Sequence, residues 1–219
     1  FLVTGSNDST VKIWNLEAIC DQYKLHGHND LVRTLDFGQK SQLIVTAGNE
    51  KLIRVWQSGE NFKFLHSLSG HSEWVYAVRL SPDEQVLASA GGDCCVKLWD
   101  CAGGGDGASW GCLGTLKGHS DAVRALDFSH KGNFLASGGQ DFWVVVWILP
   151  NNTVKYKLKH EDGVLDVKFS PKSEWLLTAV GDETLRLWSM ADGTMVRTFA
   201  GHSHIVCCCL FIDHGKRVV

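Results

Sequence analysis

The chain has 219 residues, of which 44% are hydrophobic and 21% are charged, a composition typical of globular proteins. The formal net charge is −3, which argues against nucleic-acid binding because nucleic-acid-binding proteins usually carry a basic excess. The longest apolar run, at residues 143–150, is too short to cross a bilayer, and no signal peptide is evident. A strand pattern begins at the first residue, so we expect the chain to be part of a longer protein.

Eight cysteines occur without any Cys-x-x-Cys pair, and their spacing suits neither a disulfide framework nor a zinc site. Several are adjacent within predicted strands, where neighbouring side chains point to opposite faces. We therefore expect reduced, buried cysteines and a protein of the cytoplasm, the nucleus or both, which are reducing compartments. The eight are Cys20, Cys94, Cys95, Cys101, Cys112, Cys207, Cys208 and Cys209.

The predicted elements form a repeated unit along the chain. The first strands end at Trp14, and the same pattern recurs at Trp56, Trp99, Trp147 and Trp188. In the second to fifth units a histidine lies 28 residues before the tryptophan, with a hydroxyl residue 18 and an acid 22 residues after that histidine. Such constant spacing indicates a rigid structural repeat. The four sets are His28, Thr46, Glu50 and Trp56; His71, Ser89, Asp93 and Trp99; His119, Ser137, Asp141 and Trp147; and His160, Thr178, Asp182 and Trp188.

Each unit contains four short runs of alternating apolar residues separated by turn residues, which indicates four antiparallel strands. In the third unit these runs are VYAVRLSP, VLASAGGD, CVKLWD and CLGTLKGH. A single four-stranded meander leaves both of its faces exposed, and stacking such sheets around an axis buries them. The pattern therefore predicts an all-β propeller.

The motif of Gly-His, a hydroxyl residue, Asp and Trp-Asp resembles the WD40-repeat family over essentially the whole chain, best in the third and fourth units. The resemblance implies a WD40-type β-propeller with four complete four-stranded blades and partial blades at both ends, as an arc of a seven- or eight-bladed ring. A five-bladed ring, closed by the C-terminal run VCCCLFI, is the alternative. The expected blades cover about residues 1–25, 26–68, 69–116, 117–157, 158–199 and 200–219.

The resemblance also implies a structural role for the repeated polar residues. The acid accepts a hydrogen bond from the histidine, the histidine bonds the hydroxyl, and the hydroxyl accepts from the indole N–H. Recurrence in every unit favours this role over a catalytic triad, which would occur once. Glu50 stands in place of aspartate in the second unit, and Lys159 in place of the glycine before His160 in the fifth. We expect imperfect networks there, with the second unit the weakest complete one.

Other candidate sites are weak. The pairs His26 with His28 and His202 with His204 have no accompanying cysteine or carboxylate cluster. The run GGGDG at 103–107 lacks the Lys-Ser/Thr of a phosphate loop and predicts a flexible surface loop. We expect no catalytic residue, metal, cofactor or small-molecule substrate, and no non-repeated cluster of carboxylates or histidines in the central channel.

Partners of this family usually dock on the top face, which is formed by the loops carrying the repeated histidines and by the turns after the second strands. Trp74, Tyr76, Arg33 and Arg124 stand out there because Trp, Tyr and Arg dominate interface hot spots. The alternative is that they only cover neighbouring blades, and the same alternative applies to Phe142, an aromatic residue expected to be exposed. The expected partner-binding residues are Leu31, Arg33, Asn49, Trp74, Tyr76, Arg124, Gln140 and Leu165.

The sequence thus favours a non-enzymatic scaffold that binds proteins or peptides, with acidic or phosphorylated peptides favoured by the two arginines. Neither a nucleic acid nor a membrane is expected as a partner. The alternative is the recognition arm of a larger enzyme, such as a ubiquitin ligase or a signalling NTPase, with catalysis elsewhere. Some family members dock on a cullin-ligase adaptor through Trp-Asp-x-Arg. No arginine follows the repeat tryptophans at that spacing; the positions hold Glu17, Gly59, Ala102, Pro150 and Ala191.

Overall fold

The computed structural model describes residues 1–16, 20–59, 62–102 and 109–219, with the backbone alone for 20–22. The predicted glycine-rich loop at 103–107 lies outside the described residues. Within the described part, every regular element is a β-strand except a 3-10 turn at Asp213–Gly215. That part holds no helix long and apolar enough to cross a membrane.

The strands are short, as the alternating runs predict. In chain order they are β1 (Leu2–Gly5), β2 (Val11–Asn15), β3 (Cys20–Leu25), β4 (Val32–Phe37), β5 (Leu43–Gly48), β6 (Leu52–Gln57), β7 (Lys63–Ser69), β8 (Val75–Leu80), β9 (Val86–Gly91), β10 (Cys95–Asp100), β11 (Cys112–Lys117), β12 (Val123–Phe128), β13 (Phe134–Gly139), β14 (Trp143–Ile148), β15 (Thr153–Lys159), β16 (Val164–Phe169), β17 (Trp175–Val180), β18 (Thr184–Ser189), β19 (Met195–Ala200), β20 (Phe211–Ile212) and β21 (Arg217–Val218).

These strands form consecutive antiparallel meanders, which we number as blades. Blade 1 contains β1–β3, and blades 2 to 5 contain β4–β7, β8–β11, β12–β15 and β16–β19. The predicted all-β fold of four-stranded antiparallel blades is confirmed. A register shift marks the repeat tryptophan in every blade, between Val55 and Trp56 in blade 2 for example. Such a bulge re-aims a side chain, and here it occurs where the indole turns towards the repeated hydroxyl.

The hydrophobic core lies between the blades. One cluster of buried residues joins blades 1 and 2, and three further clusters join each successive pair up to blades 4 and 5. The second strands are sandwiched on both faces, so all six residues of β5 are buried. The fourth strands form the rim, and β19 is almost entirely exposed. Each blade is therefore stable only against its neighbours, as in other repeat proteins.

The C-terminal segment differs from the strand that was expected at VCCCLFI. Residues 205–210 are not a strand, and only the short β20–β21 hairpin forms, flanked by reciprocal backbone bonds between Leu210 and Val219. This hairpin pairs with no strand of blade 1 in the described residues, so the five-bladed closure does not occur. Val206 and Cys209 pack on blade 5 instead.

The cysteines are free in the described part of the chain, but most of them are not buried. Cys112, Cys207 and Cys208 are exposed, and Cys94 and Cys95 are intermediate. The expectation of burial was wrong because an alternating strand buries a residue only when another sheet covers that face. The two described cysteines that are buried, Cys101 and Cys209, lie outside the strands and pack in apolar clusters. The side chain of Cys20 lies outside the described residues.

Candidate functional site

In blades 3 and 4 the repeated polar residues form a continuous hydrogen-bonded chain. In blade 3, His71 Nδ1 lies 2.9 Å from Asp93 Oδ2, and His71 Nε2 lies 2.7 Å from Ser89 Oγ. The Trp99 indole N–H donates to the same Ser89 oxygen over 2.8 Å. Blade 4 repeats this geometry with distances of 3.0, 2.8 and 2.9 Å in a chain formed by His119, Asp141, Ser137 and Trp147.

The bonding partners determine the histidine tautomer. Because the carboxylate accepts from Nδ1–H, Nε2 carries the lone pair and accepts from the serine hydroxyl. Burial lowers the pKa of His71 below its ordinary value, against the opposing pull of Asp93. The His71 imidazole is therefore neutral at physiological pH, and both ends of the blade 3 chain are satisfied without a buried net positive charge.

In blade 2 the acid has an additional partner, Arg54. Glu50 contacts His28 Nδ1 and also accepts two bonds from Arg54, at 2.8 and 3.0 Å. Thr46 bonds His28 Nε2 at 2.6 Å and the Trp56 indole at 3.0 Å. Burial opposes ionisation of Glu50, but Arg54 and His28 hold its pKa below the ordinary value. The longer side chain lets one carboxylate approach both partners, but His28 Nδ1 has no partner with hydrogen-bond geometry among the described residues, and the expected weakness of the second network stays a prediction.

Blade 5 has the incomplete network. Thr178 bonds His160 Nε2 at 2.9 Å and the Trp188 indole at 3.2 Å. His160 Nδ1–H donates to the carbonyl of Leu158 at 3.1 Å instead of to the acid. Asp182 bonds Arg186 and Thr184, so it takes no part in the chain. The expected set of His160, Thr178, Asp182 and Trp188 therefore lacks its acid–histidine bond.

The residue before the histidine explains this difference. In blades 3 and 4 it is glycine, and a Cβ there would lie 2.9 Å from Trp99 Cη2 at Gly70 and 2.8 Å from Trp147 Cη2 at Gly118. Such distances are too short for any other residue, so glycine allows the loop to approach the indole. Blade 5 has Lys159 at this position. The histidine loop must take another path there, and the His160 and Trp188 rings are 5.1 Å apart.

The first strands of neighbouring blades pack side by side and bring together charged residues that the sequence reasoning missed. Asp36, Arg79, Asp127 and Lys168 occupy the same repeat position, eight residues after each histidine, with alternating charge. Asp36 accepts from the backbone N–H of Leu80 over 2.7 Å, and Asp127 from that of Phe169 over 2.7 Å.

These four charged residues, which we call the inner cluster, occupy one repeat position and so lie outside the expectation that the channel holds no non-repeated cluster of carboxylates or histidines. Burial raises the pKa of Asp127 to about 6, although Lys168 and Arg79 act against the increase. Burial likewise raises the pKa of Asp36. The alternation at one repeat position was the signal that could have revealed the cluster. Because these carboxylates accept backbone bonds from the next blade, their geometry joins blades together.

On the top face, five of the eight expected partner-binding residues lie together across blades 2 to 4. The Arg33 guanidinium carbon is 5.0 Å from the Trp74 ring centre and 5.4 Å from that of Tyr76. The Arg124 guanidinium carbon lies 4.3 Å from the centre of the same Tyr76 ring. The two aromatic rings meet edge to face at 6.4 Å, and Asn49 accepts a bond from Arg33. We call these five residues the top-face cluster.

The remaining expected residues are placed differently. Gln140 packs over Gly163 of the next blade, where a Cβ would lie 2.5 Å from its amide nitrogen. Leu31 is half-buried, and its carbonyl accepts the backbone N–H of Asn49. Leu165 is half-buried on blade 5. Phe142 is 41% exposed, as the sequence predicted, and has a positive φ of 69°.

Within the described residues, no group of three or more His, Cys, Asp or Glu side chains could hold a metal ion.

Comparison with known proteins gives relatives that match short segments. An uncharacterised WD repeat-containing protein of Schizosaccharomyces pombe is 39% identical over 28% of this chain and 16% of its own length. The nuclear distribution protein nudF 2 of Penicillium rubens is 33% identical over 31% of this chain and 14% of its own.

The DDB1- and CUL4-associated factor 13 of Dictyostelium discoideum is 32% identical over 26% of this chain and 13% of its own length. These matches thus span less than a fifth of each relative. The family model described as WD domain, G-beta repeat matches residues 1–15, 20–57, 62–100, 110–147 and 152–189, which is most of the chain and coincides with the blades. The chain therefore belongs to the WD40-repeat family.

Proposed function

We propose that this protein is a non-enzymatic interaction scaffold that binds a protein or peptide segment on its top face. The observation that carries the proposal is the top-face cluster, in which two arginines flank an aromatic pair formed by the exposed Trp74 and the half-buried Tyr76. Trp74 is 41% exposed despite its size. Aromatic and arginine side chains of this kind supply most of the binding energy in protein interfaces.

The charge of the cluster favours an acidic or phosphorylated partner. Neither Arg33 nor Arg124 forms an ion pair within the described residues. The Nε of Arg124 is buried and has no hydrogen-bond acceptor. A buried donor without an acceptor is costly, and a carboxylate or phosphate oxygen from a partner would form charge-assisted bonds with the two guanidinium groups.

We propose no catalytic role because the candidate polar groups form hydrogen bonds that hold the blades together. The repeated histidines bond hydroxyls inside the blades, and the inner carboxylates accept backbone N–H groups. A nucleophile and a base must both be available to substrate, whereas these groups are committed to holding the blades. This use supports a scaffold, and the free cysteines of the described residues favour a reducing compartment such as the cytoplasm or nucleus.

The test is fluorescence anisotropy with labelled ten-residue peptides in a glycine–serine background. One peptide carries a phosphoserine, one carries two glutamates in its place, and one is neutral. We expect the anionic peptides to bind at least tenfold more tightly than the neutral one, and Arg124→Gln to remove that preference. Arg197→Gln is the matched control, because Arg197 stacks on Phe199 at 5.0 Å on the exposed rim. Equal binding of neutral and anionic peptides, or an unaffected Arg124→Gln variant, would refute the proposal.

A second candidate is the recognition arm of a larger enzyme. It is favoured by the similarity to a DDB1- and CUL4-associated factor. It is opposed by the lack of arginine three residues after any repeat tryptophan. Size-exclusion chromatography of the chain with purified DDB1 separates the two: co-elution supports the recognition arm, and separate elution removes this adaptor from consideration.

A further inference from the structure

The interface between two neighbouring blades is called a seam here. At the seam between blades 3 and 4, no described side chain bonds the backbone of the neighbouring blade's lower turn, as happens at the two adjacent seams. These turns connect the first and second strands, opposite the top face. Between blades 2 and 3, Glu84 accepts the backbone N–H groups of Lys40 and Ser41 at 3.0 and 2.6 Å. Between blades 4 and 5, Ser173 Oγ accepts the N–H of His130 at 2.8 Å. The equivalent residue in blade 4 is Gly132, thirteen residues after the repeat histidine like the other two, and it has no side chain.

In the part of the chain that the structure describes, the inner edge of the same seam also lacks a bond that the adjacent seams have, from a backbone N–H to a carboxylate of the preceding blade. Asp36 and Asp127 accept a backbone N–H from the following blade. Blade 3 has Arg79 at this position, and a guanidinium cannot accept a hydrogen bond. Among the described residues, blades 3 and 4 are therefore joined without either of the bonds that close the neighbouring seams.

The seam opens on the lower face into a cavity of about 440 Å³. Its apolar wall comes from both blades and consists of Val86, Leu98, Leu113, Phe128, Leu149 and Pro150. Leu113 is 56% exposed although it belongs to a strand. A cavity of this size and polarity accommodates a bulky apolar side chain of a partner.

A second depression of about 400 Å³ adjoins the cavity and shares Lys131 and Asn133 with it. His130 and Lys172 line its other side. Lys131 and Lys172 are exposed, and neither forms a salt bridge within the described residues. We call the two adjoining depressions the seam groove. One half of this groove is apolar, and the other half is basic.

We propose that the seam groove binds an extended peptide segment that places an apolar side chain in the cavity and an acidic side chain beside Lys131 and Lys172. Charge complementarity selects this occupant, because the two lysines of the groove outnumber the one carboxylate among its described residues, Asp83, which lies on the blade 3 side. Asp83 Oδ1 accepts from Ser81 Oγ at 2.5 Å and from the N–H of Gln85 at 3.1 Å. Since the depressions adjoin, the two anchoring side chains are within a few residues of each other, at about 3.3 Å per residue of extended chain. The seam groove is separate from the top-face cluster.

The test uses fluorescence anisotropy with three labelled ten-residue peptides in a glycine–serine background. The first contains a phenylalanine followed by two glutamates, the second has lysines in place of the glutamates, and the third has serine in place of the phenylalanine. We expect the first to bind at least fivefold more tightly than either of the others. Lys131→Glu should reverse the preference between glutamate and lysine peptides, which a mere folding defect would not do.

Two further variants examine the groove itself. Leu113→Ser should weaken binding of the first peptide at least fivefold, while Lys117→Glu, on the same strand away from the groove, should leave it unchanged. Gly132→Glu should also weaken binding, because it restores the side chain that bonds the neighbouring turn in blade 3. Glu84 holds a similar positive φ, 59° against 74° for Gly132, so the variant would carry a backbone strain that blade 3 already has at the equivalent position.

In a top-face variant, Trp74→Ala, the first peptide should still bind at least fivefold more tightly than the third. That difference comes from the phenylalanine and not from the acidic residues expected to bind the top-face cluster, so it separates this proposal from the preceding one. The proposal is overturned if the glutamate and lysine peptides bind wild-type protein equally, if none of the three binds, or if Trp74→Ala abolishes binding while Leu113→Ser does not.

Discussion

Removing the turn acid should cost far more in blade 3 than in blade 5. In blade 3, Asp93→Ala leaves the Nδ1–H of His71 without its acceptor, and the His71 side chain is fully buried. It also removes the acceptor of the Ser72 N–H at 3.1 Å. An unsatisfied buried donor costs about 1–3 kcal/mol, and an exposed backbone bond adds about 0.5–1 kcal/mol. We therefore expect Asp93→Ala to destabilise the protein by about 3 kcal/mol.

In blade 5 the same change removes different bonds. Asp182 is not bonded to His160, whose Nδ1–H keeps the Leu158 carbonyl as its acceptor. The bonds that Asp182→Ala removes are those to Arg186 and Thr184, and the Asp182 side chain is 22% exposed. Water can replace it as a partner there, so we expect a loss of about 1 kcal/mol.

Urea denaturation followed by tryptophan fluorescence measures the difference. With a slope of about 2–3 kcal/mol per molar urea, a gap of about 2 kcal/mol separates the two midpoints by roughly 0.7–1 M. Glu161→Ala, an exposed acid in the histidine loop of blade 5, is the control and should match wild type. The reasoning fails if Asp182→Ala is as destabilising as Asp93→Ala.

Three further outcomes follow from the geometry. Glu50→Asp should destabilise by about 1 kcal/mol in urea denaturation, because the shorter side chain cannot reach both His28 and Arg54; a stabilised variant would contradict this. Burial and then Arg186 lower the pKa of His160 to about 4, against about 6.5 in the unfolded chain. The unfolded state thus binds more protons between these values, so stability should fall as pH decreases from 6.5 to 4, by roughly 3 kcal/mol from this group. The pH-dependence of unfolding should flatten in His160→Gln, and an unchanged profile would count against the assignment. Phe142→Asn should raise the thermal midpoint, with a gain of up to about 1 kcal/mol, since asparagine tolerates a positive φ better than phenylalanine; a lower midpoint would mean that the ring contributes packing.

Much of the fold could be predicted from the sequence because its signals are local and repeated. The 28-residue spacing from histidine to tryptophan and the alternating apolar runs predict the strands and their order, since an alternating strand must bury one face. The spacing also predicts that His71, Ser89 and Trp99 meet, and they lie within hydrogen-bond distance. The VCCCLFI run shows the limit of such signals, because an apolar run becomes a strand only where a partner strand lies beside it.

The candidate sites depended on contacts between blades, which no local pattern encodes. The sequence by itself determined the residue types on the top face, but only the tertiary structure decided that Arg33 and Arg124 both stack on Tyr76. It likewise decided that Glu50 contacts both His28 and Arg54, whereas Asp182 contacts Arg186 and not His160. The physical reason is that a hydrogen bond or a ring contact is made or lost when the distance between two groups changes by about one ångström. Sequence spacing determines which strand a residue occupies, whereas the packing of neighbouring sheets determines these distances.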